Sequence, residues 1–201
     1  MLNPSSDLAS TQDTFQPLFE RQLAYFTAIV KRAPTEAEFE KALKTDDLLL
    51  YFGHGGGAQY IRGGTIRKLQ QCAVTLLMGC SSAKLTEYGV FESQGMPWNY
   101  ISGGSLAVVG TLWDVTDRDI DRFAMEVMSE WGLIQKHDET YPKSGNKAAK
   151  QAVVKNGNKV MDQKRGEVSL DQAVARARES CLLKYLNGAA PVVYGVPVFL
   201  E

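Results

Sequence analysis

Two residues in this sequence have the chemistry for nucleophilic catalysis, and each stands directly after an apolar run. His54 closes LLLYFGH and opens onto Gly55, Gly56 and Gly57; Cys80 closes AVTLLMGC and opens onto Ser81 and Ser82. A thiol is the natural nucleophile at neutral pH when a nearby imidazole or helix end favours the thiolate. Glycine after the histidine leaves backbone N–H groups uncovered, so a substrate carbonyl can approach without meeting a Cβ. In acyl transfer those N–H groups must face the developing oxyanion, and the amides of Gly55 and Cys80 are the expected donors. Cys72 and Cys181 suit an inert, buried role better, and Gly56 and Gly57 fit a tight strand exit as well as they fit catalysis.

These side chains need a scaffold that brings strand ends together. Leu48–Phe52, Ala73–Met78 and Ser105–Trp113 read as buried strands by length, apolarity and flanks. Helical pattern begins at Phe15, after the turn-rich NPSSDLASTQDTF. Thr35 and Glu38 form a capping box before EFEKALK, and GGTIRKLQQ reads as a short helix or turn. A helix is expected within VTDRDIDRFAMEVMSEWG, stopping at Gly132. Ser169 and Gln172 cap another, with Leu170, Val174, Ala177, Cys181 and Tyr185 at helical spacing and Asn187-Gly188 at its end. Pro191 and Pro197 make the tail AAPVVYGVPVFL an edge or irregular strand rather than a central one. Strands alternating with helices predict an α/β fold with a mostly parallel sheet. In such sheets ligands gather beyond the carboxyl ends of the strands, where His54, Cys80 and Asp114 all fall.

Composition narrows the function. The 201 residues, 44% of them hydrophobic, make one globular domain or a domain with an insertion, and a formal net charge of -1 does not point to a nucleic-acid or membrane partner. No apolar run reaches the roughly 20 residues of a membrane span, and the first residues lack the basic and apolar regions of a secretory leader. Three cysteines and two histidines, His54 and His137, show no metal-ligand spacing, so neither metal nor cofactor is expected, and a reducing, intracellular setting is. Residues 132–168 are rich in Lys, Asn, Gly and Gln and read as a mobile insertion. HGGG is also an oxyanion-loop motif of some esterases, but the required G-x-S-x-G elbow is absent: Gly79-Cys80-Ser81-Ser82-Ala83 lacks the second glycine.

Several stretches are long enough to carry a family resemblance. YFGHGGGAQYI, LLMGCSSAKL and LWDVTDRDIDRF, with the opening LNPSSDLASTQ and the closing KYLNGAAPVVYGVPV, resemble the C-terminal protease domain of the separases. The resemblance spans most of residues 1–201 apart from the insertion. It implies a caspase-hemoglobinase-like α/β/α sandwich in which Cys80 attacks the scissile carbonyl and His54 moves protons, with no third triad residue required. It also implies cleavage after arginine in the kleisin subunit of cohesin at anaphase, inhibition by securin as a pseudosubstrate, and contact with the rest of a longer separase chain. The expected locations are cytoplasm and nucleus, on the mitotic spindle or chromosomes. A catalytically inactive caspase-like binding module is the alternative, disfavoured by the presence of both His54 and Cys80.

Selectivity for arginine needs a carboxylate, because a guanidinium binds one through two parallel hydrogen bonds. VTDRDID offers Asp121 first, with Asp117 four residues earlier on the same helical face and Asp114 nearest the strand end. Trp113 is placed to wall such a pocket with its indole.

Overall fold

The structure, a computed structural model, describes residues 1–135 and 166–200. Four strands form the main sheet: β1 (Leu48–Phe52), β2 (Val74–Met78), β5 (Ala107–Thr111) and β6 (Pro191–Gly195), in the order β1-β2-β5-β6. The first three are parallel, with Leu48 opposite Val74 and Thr75 opposite Val108; β6 runs antiparallel to β5, with Ala107 opposite Gly195. As the prolines require, β6 occupies an edge.

Alternation along the parallel strands divides the core in two. Leu50 and Phe52, Val74, Leu76 and Met78, and Ala107 and Val109 face one side, where they pack with Phe15 and Leu18 of α1 (Ala9–Gln22). Phe123 and Val127 of α5 (Asp117–Glu130) and Ala173 and Val174 of α6 (Leu170–Ala177) complete that layer. Leu49, Tyr51, Leu77 and Val108 face the other side, against Phe39 and Leu43 of α2 (Glu36–Thr45), Ile66 of α3 (Gly63–Ile66) and Tyr100 of α4 (Met96–Ser102). Helices therefore cover both faces, which is why β1, β2 and β5 are apolar almost throughout. This is the expected α/β/α sandwich.

Both capping boxes form, Thr35 with Glu38 and Ser169 with Gln172, and Gly132 ends α5 at φ 85°. Elsewhere local pattern gives way to tertiary contacts. Helix α1 begins at Ala9 rather than Phe15, because buried Asn3 accepts a hydrogen bond from the Leu8 N–H and donates to Gln12, organising the polar opening into a helix start. Helix α6 stops at Ala177, continues as a 3-10 turn over Arg178–Ser180, and does not reach Asn187. The cause is Asp119, whose carboxylate accepts the N–H groups of Leu182 and Leu183 and so diverts them from helical partners. Tyr185, expected on an apolar helix face, is exposed. The hairpin of β3 (Thr86–Tyr88) and β4 (Phe91–Gln94), turning at Gly89, and helix α4 were not anticipated by the sequence pattern.

Of the stretch 132–168, residues 136–165 lie outside the described residues. Its margins do not have the expected solvated character: Leu133, Ile134 and Val168 are buried in the core.

Candidate functional site

The chain leaves β1 through Gly53-His54-Gly55 and leaves β2 through Gly79-Cys80-Ser81, and the two exits touch. A Cβ on Gly79 would press against the carbonyl oxygens of Gly53 and Gly55 and stand 2.9 Å from the Gly55 nitrogen. Only a glycine lets the backbone before Cys80 lie directly on the backbone that carries His54. Neighbouring register, Phe52 opposite Met78, makes this contact possible, and Gly55 at φ 56° turns the chain away beyond it.

Buried tyrosines hold the histidine loop. Tyr51 donates to the His54 carbonyl at 2.9 Å, and Gln59 donates to the same oxygen and to the Tyr51 hydroxyl. Tyr100 donates to the Gly56 carbonyl at 2.9 Å. Burial pushes both phenols well above the ordinary tyrosine range, so they stay protonated and keep donating at physiological pH. The His54 imidazole itself is half exposed, and its Nε2 lies 2.7 Å from Oδ2 of Asp7.

The cysteine turn is clamped from β5. Thr111 donates through Oγ1 to the Gly79 carbonyl, the Ser81 N–H donates to the Trp113 carbonyl, and Ala83 N–H to the Thr111 carbonyl. Ser81 adopts φ 53°, a left-handed conformation that a serine takes at some cost, and its hydroxyl donates to Asp114 Oδ1 at 2.6 Å. Cys80 is half-buried, and its thiol donates to the Val115 carbonyl at 3.1 Å. Burial pushes the thiols of Cys72 and Cys181 up, to about 12 and about 11, which makes both inert.

Among the described residues neither the Gly55 N–H nor the Cys80 N–H has a hydrogen-bond acceptor. Gly56 and Gly57 share that freedom, but Gly55 is the one whose nitrogen lies against Gly79, the residue before Cys80.

The four pocket candidates separate. Asp121 is buried, accepts from Thr11 Oγ1 at 3.0 Å through Oδ2, and has no partner at Oδ1 among the described residues. Burial chiefly, helped by the charge on Asp117 and opposed by the Thr11 hydrogen bond and Arg122, lifts its pKa to about 6. Asp117 is exposed at the first turn of α5. Asp114 is exposed and occupied by Ser81, so it braces the cysteine turn. Trp113 is partly exposed, with its indole N–H tied to the Leu186 carbonyl at 2.8 Å.

Three residues that matter here were not singled out by the sequence reading, although all lie in stretches that carry the family resemblance. Asp7 meets His54 and Thr11 meets Asp121, both from the turn and first helix, across 47 and 110 positions of chain. Asp119, two residues before Asp121, is buried and accepts from Asn187, Arg122 and the amides of Leu182 and Leu183, fixing the loop that holds Trp113.

Comparison with known proteins gives a consistent result. The family model described as "Separin, protease domain" matches residues 1–120. Separin of Emericella nidulans is 51% identical over 202 residues, covering 100% of this chain and 9% of that protein. Separin of Schizosaccharomyces pombe is 41% identical, covering 100% and 10%. A crystal structure of the Saccharomyces cerevisiae separase-securin complex superposes with a TM-score of 0.80 at 35% identity, covering 100% of this chain and 12% of that one. The chain thus spans about a tenth of the length of the relatives it matches.

Proposed function

Since the chain belongs to the separin protease-domain family, whose chemistry is that of a cysteine peptidase, we propose that it cleaves peptide bonds after arginine with Cys80 as nucleophile and His54 as general acid and base. The observation that carries this reading is the packing of Gly79 on Gly53 and Gly55, which sets the thiol-bearing and imidazole-bearing turns side by side at the carboxyl edge of the sheet.

In the reaction, His54 takes the Cys80 proton and the thiolate attacks the scissile carbonyl carbon. The thiol leaves its hydrogen bond with the Val115 carbonyl by rotating about its own side-chain bond. Negative charge collects on the carbonyl oxygen, where the acceptor-free N–H groups of Gly55 and Cys80 stabilise it. Collapse expels the amine with the proton from His54 and leaves a thioester. Water, deprotonated by His54, then attacks the thioester, releasing the acid and regenerating the thiol.

The arginine side chain is held by Asp121. Its buried Oδ1 has no partner among the described residues, and burial is the chief cause that raises its pKa to about 6; a guanidinium would supply both a donor and a counter-charge. Asp117 adds negative potential at the mouth, and Trp113 forms a wall. The natural substrate under this reading is the kleisin subunit of cohesin, cut at anaphase by the longer protein in the nucleus and cytoplasm, on spindle or chromosomes. A securin occupies the same cleft as a pseudosubstrate.

Treatment of the full-length protein with a peptidyl-arginine acyloxymethyl ketone, with a lysine analogue as control, tests the assignment by mass mapping. Modification is expected at Cys80, abolished in His54→Ala and weakened in Asp121→Ala. Labelling at another residue, or equal labelling by both probes, would overturn it.

A further inference from the structure

The half-exposed pair of Asp7 and His54 has no place in a two-residue mechanism, yet it has the geometry of an orienting contact. Nε2 of His54 lies 2.7 Å from Asp7 Oδ2, the separation of a charge-assisted hydrogen bond. Asp7 is not a loose surface side chain. It sits in a turn held at both ends by Asn3, whose Oδ1 takes the Leu8 N–H at 2.9 Å and whose carbonyl takes the Ser6 N–H at 3.1 Å. Asn3 is buried, and Ser6, at φ 64°, is further secured by its hydroxyl on the Lys31 carbonyl. Residues 1–3 in turn pair with Phe52, at the end of the strand that delivers His54. The carboxylate and the imidazole are therefore referred to one rigid frame.

We infer that Asp7 is a positioning residue for His54, fixing the imidazole through Nε2 so that Nδ1 is the nitrogen that exchanges protons with Cys80 and the leaving amine. The inference rests on the peptidase reading above. A carboxylate on Nε2 selects the neutral tautomer with its proton on that nitrogen, which leaves the Nδ1 lone pair free to act as base. When Nδ1 takes the thiol proton, the same carboxylate faces the imidazolium. No proton passes to Asp7; it holds orientation and tautomer only. Because both side chains are half exposed, the pair contributes little to stability, so its loss is separable from unfolding.

Steady-state cleavage of an arginyl peptide by the full-length protein decides the matter, with wild type, His54→Ala, Asp7→Ala and Asp7→Glu compared alongside their melting temperatures. Asp7→Ala is expected to lose roughly tenfold to a hundredfold in kcat with KM and melting temperature nearly unchanged, and Asp7→Glu to recover part of that loss. An inactive His54→Ala beside a fully active Asp7→Ala would overturn the role of Asp7 and leave the peptidase reading intact. Joint loss of kcat and melting temperature, unrelieved by glutamate, would make Asp7 a structural residue. Retained activity in His54→Ala would bring down the peptidase reading and this inference with it.

Discussion

The hydroxyl of Thr11 donates to Oδ2 of Asp121 at 3.0 Å, joining α1 to α5, while Oδ1 has no partner among the described residues. One carboxylate oxygen is thus fixed and the other buried without a partner. Asp119, two residues earlier on the same helix, is the opposite case: its carboxylate is saturated by four donors. The same helix turn carries a carboxyl group awaiting a partner and one fully paired.

For Asp121 the pH dependence follows from its pKa of about 6. The folded chain keeps this proton up to about pH 6, whereas an unfolded aspartate releases it near pH 4. The folded state binds more protons in that window, so the residue lowers stability progressively as pH rises through it. Asp121→Asn is expected to be more stable than wild type above pH 6, by up to about 3 kcal/mol, and equal to it below about pH 4. The same variant should lose at least roughly a hundredfold in kcat/KM on arginyl peptides. Urea denaturation at both pH values checks the first part; a less stable variant at pH 7.5 would mean that Asp121 is already paired in the free protein.

Asp119 carries the reverse sign. Burial raises its carboxyl, but hydrogen bonds from Asn187, Leu182, Leu183 and Arg122 outweigh that and hold it below the ordinary aspartate range. Its contribution is complete above about pH 4 and disappears as pH falls through the depressed value. Asp119→Ala should destabilise by about 2–4 kcal/mol at neutral pH, by stranding buried donors, and should raise proteolytic sensitivity first in the 182–187 loop. A melting temperature within one degree of wild type would refute this.

At Gly79 the smallest possible side chain already meets two carbonyl oxygens. Gly79→Ala is expected to cost about 1–3 kcal/mol and to remove labelling of Cys80 by an arginyl probe, because the two exits must part. Gly64, whose Cβ would meet open space, is the control: Gly64→Ala should leave labelling unchanged. Wild-type labelling in Gly79→Ala would show that the spacing of the exits is not critical.

Asp114 braces Ser81, so Asp114→Ala should lower kcat several-fold while selectivity for arginine over lysine persists. A rise in KM with loss of that selectivity would instead put Asp114 in the arginine pocket.

The fold was legible where strands announce themselves. LLLYF, AVTLLM and SLAVVGTLW are apolar because both sheet faces are covered, and this composition gave the parallel core and the location of His54 and Cys80 beyond its strand ends. Asp7, Thr11 and Asp119 were not legible, because an aspartate or threonine in a polar stretch has the same local pattern whether it faces water or a residue 110 positions away. The early end of α6 was hidden for the same reason: Asp119 captures amides that the helical spacing of Cys181 and Tyr185 assigns to the helix. Helix caps were readable because their partners lie three residues apart, Thr35 with Glu38 and Ser169 with Gln172.

The antiparallel strand β6 closes the sheet edge beside β5, yet it is made from residues 191–195. A ribosome emits His54 and Cys80 first, Asp121 some forty residues after Cys80, and β6 only at the end of the stretch. Pairing across such separations waits on the late segment, since loop closure has to precede the contacts that reward it. A nascent chain therefore holds Cys80 and His54 before it has Asp121 or the strand that completes the sheet.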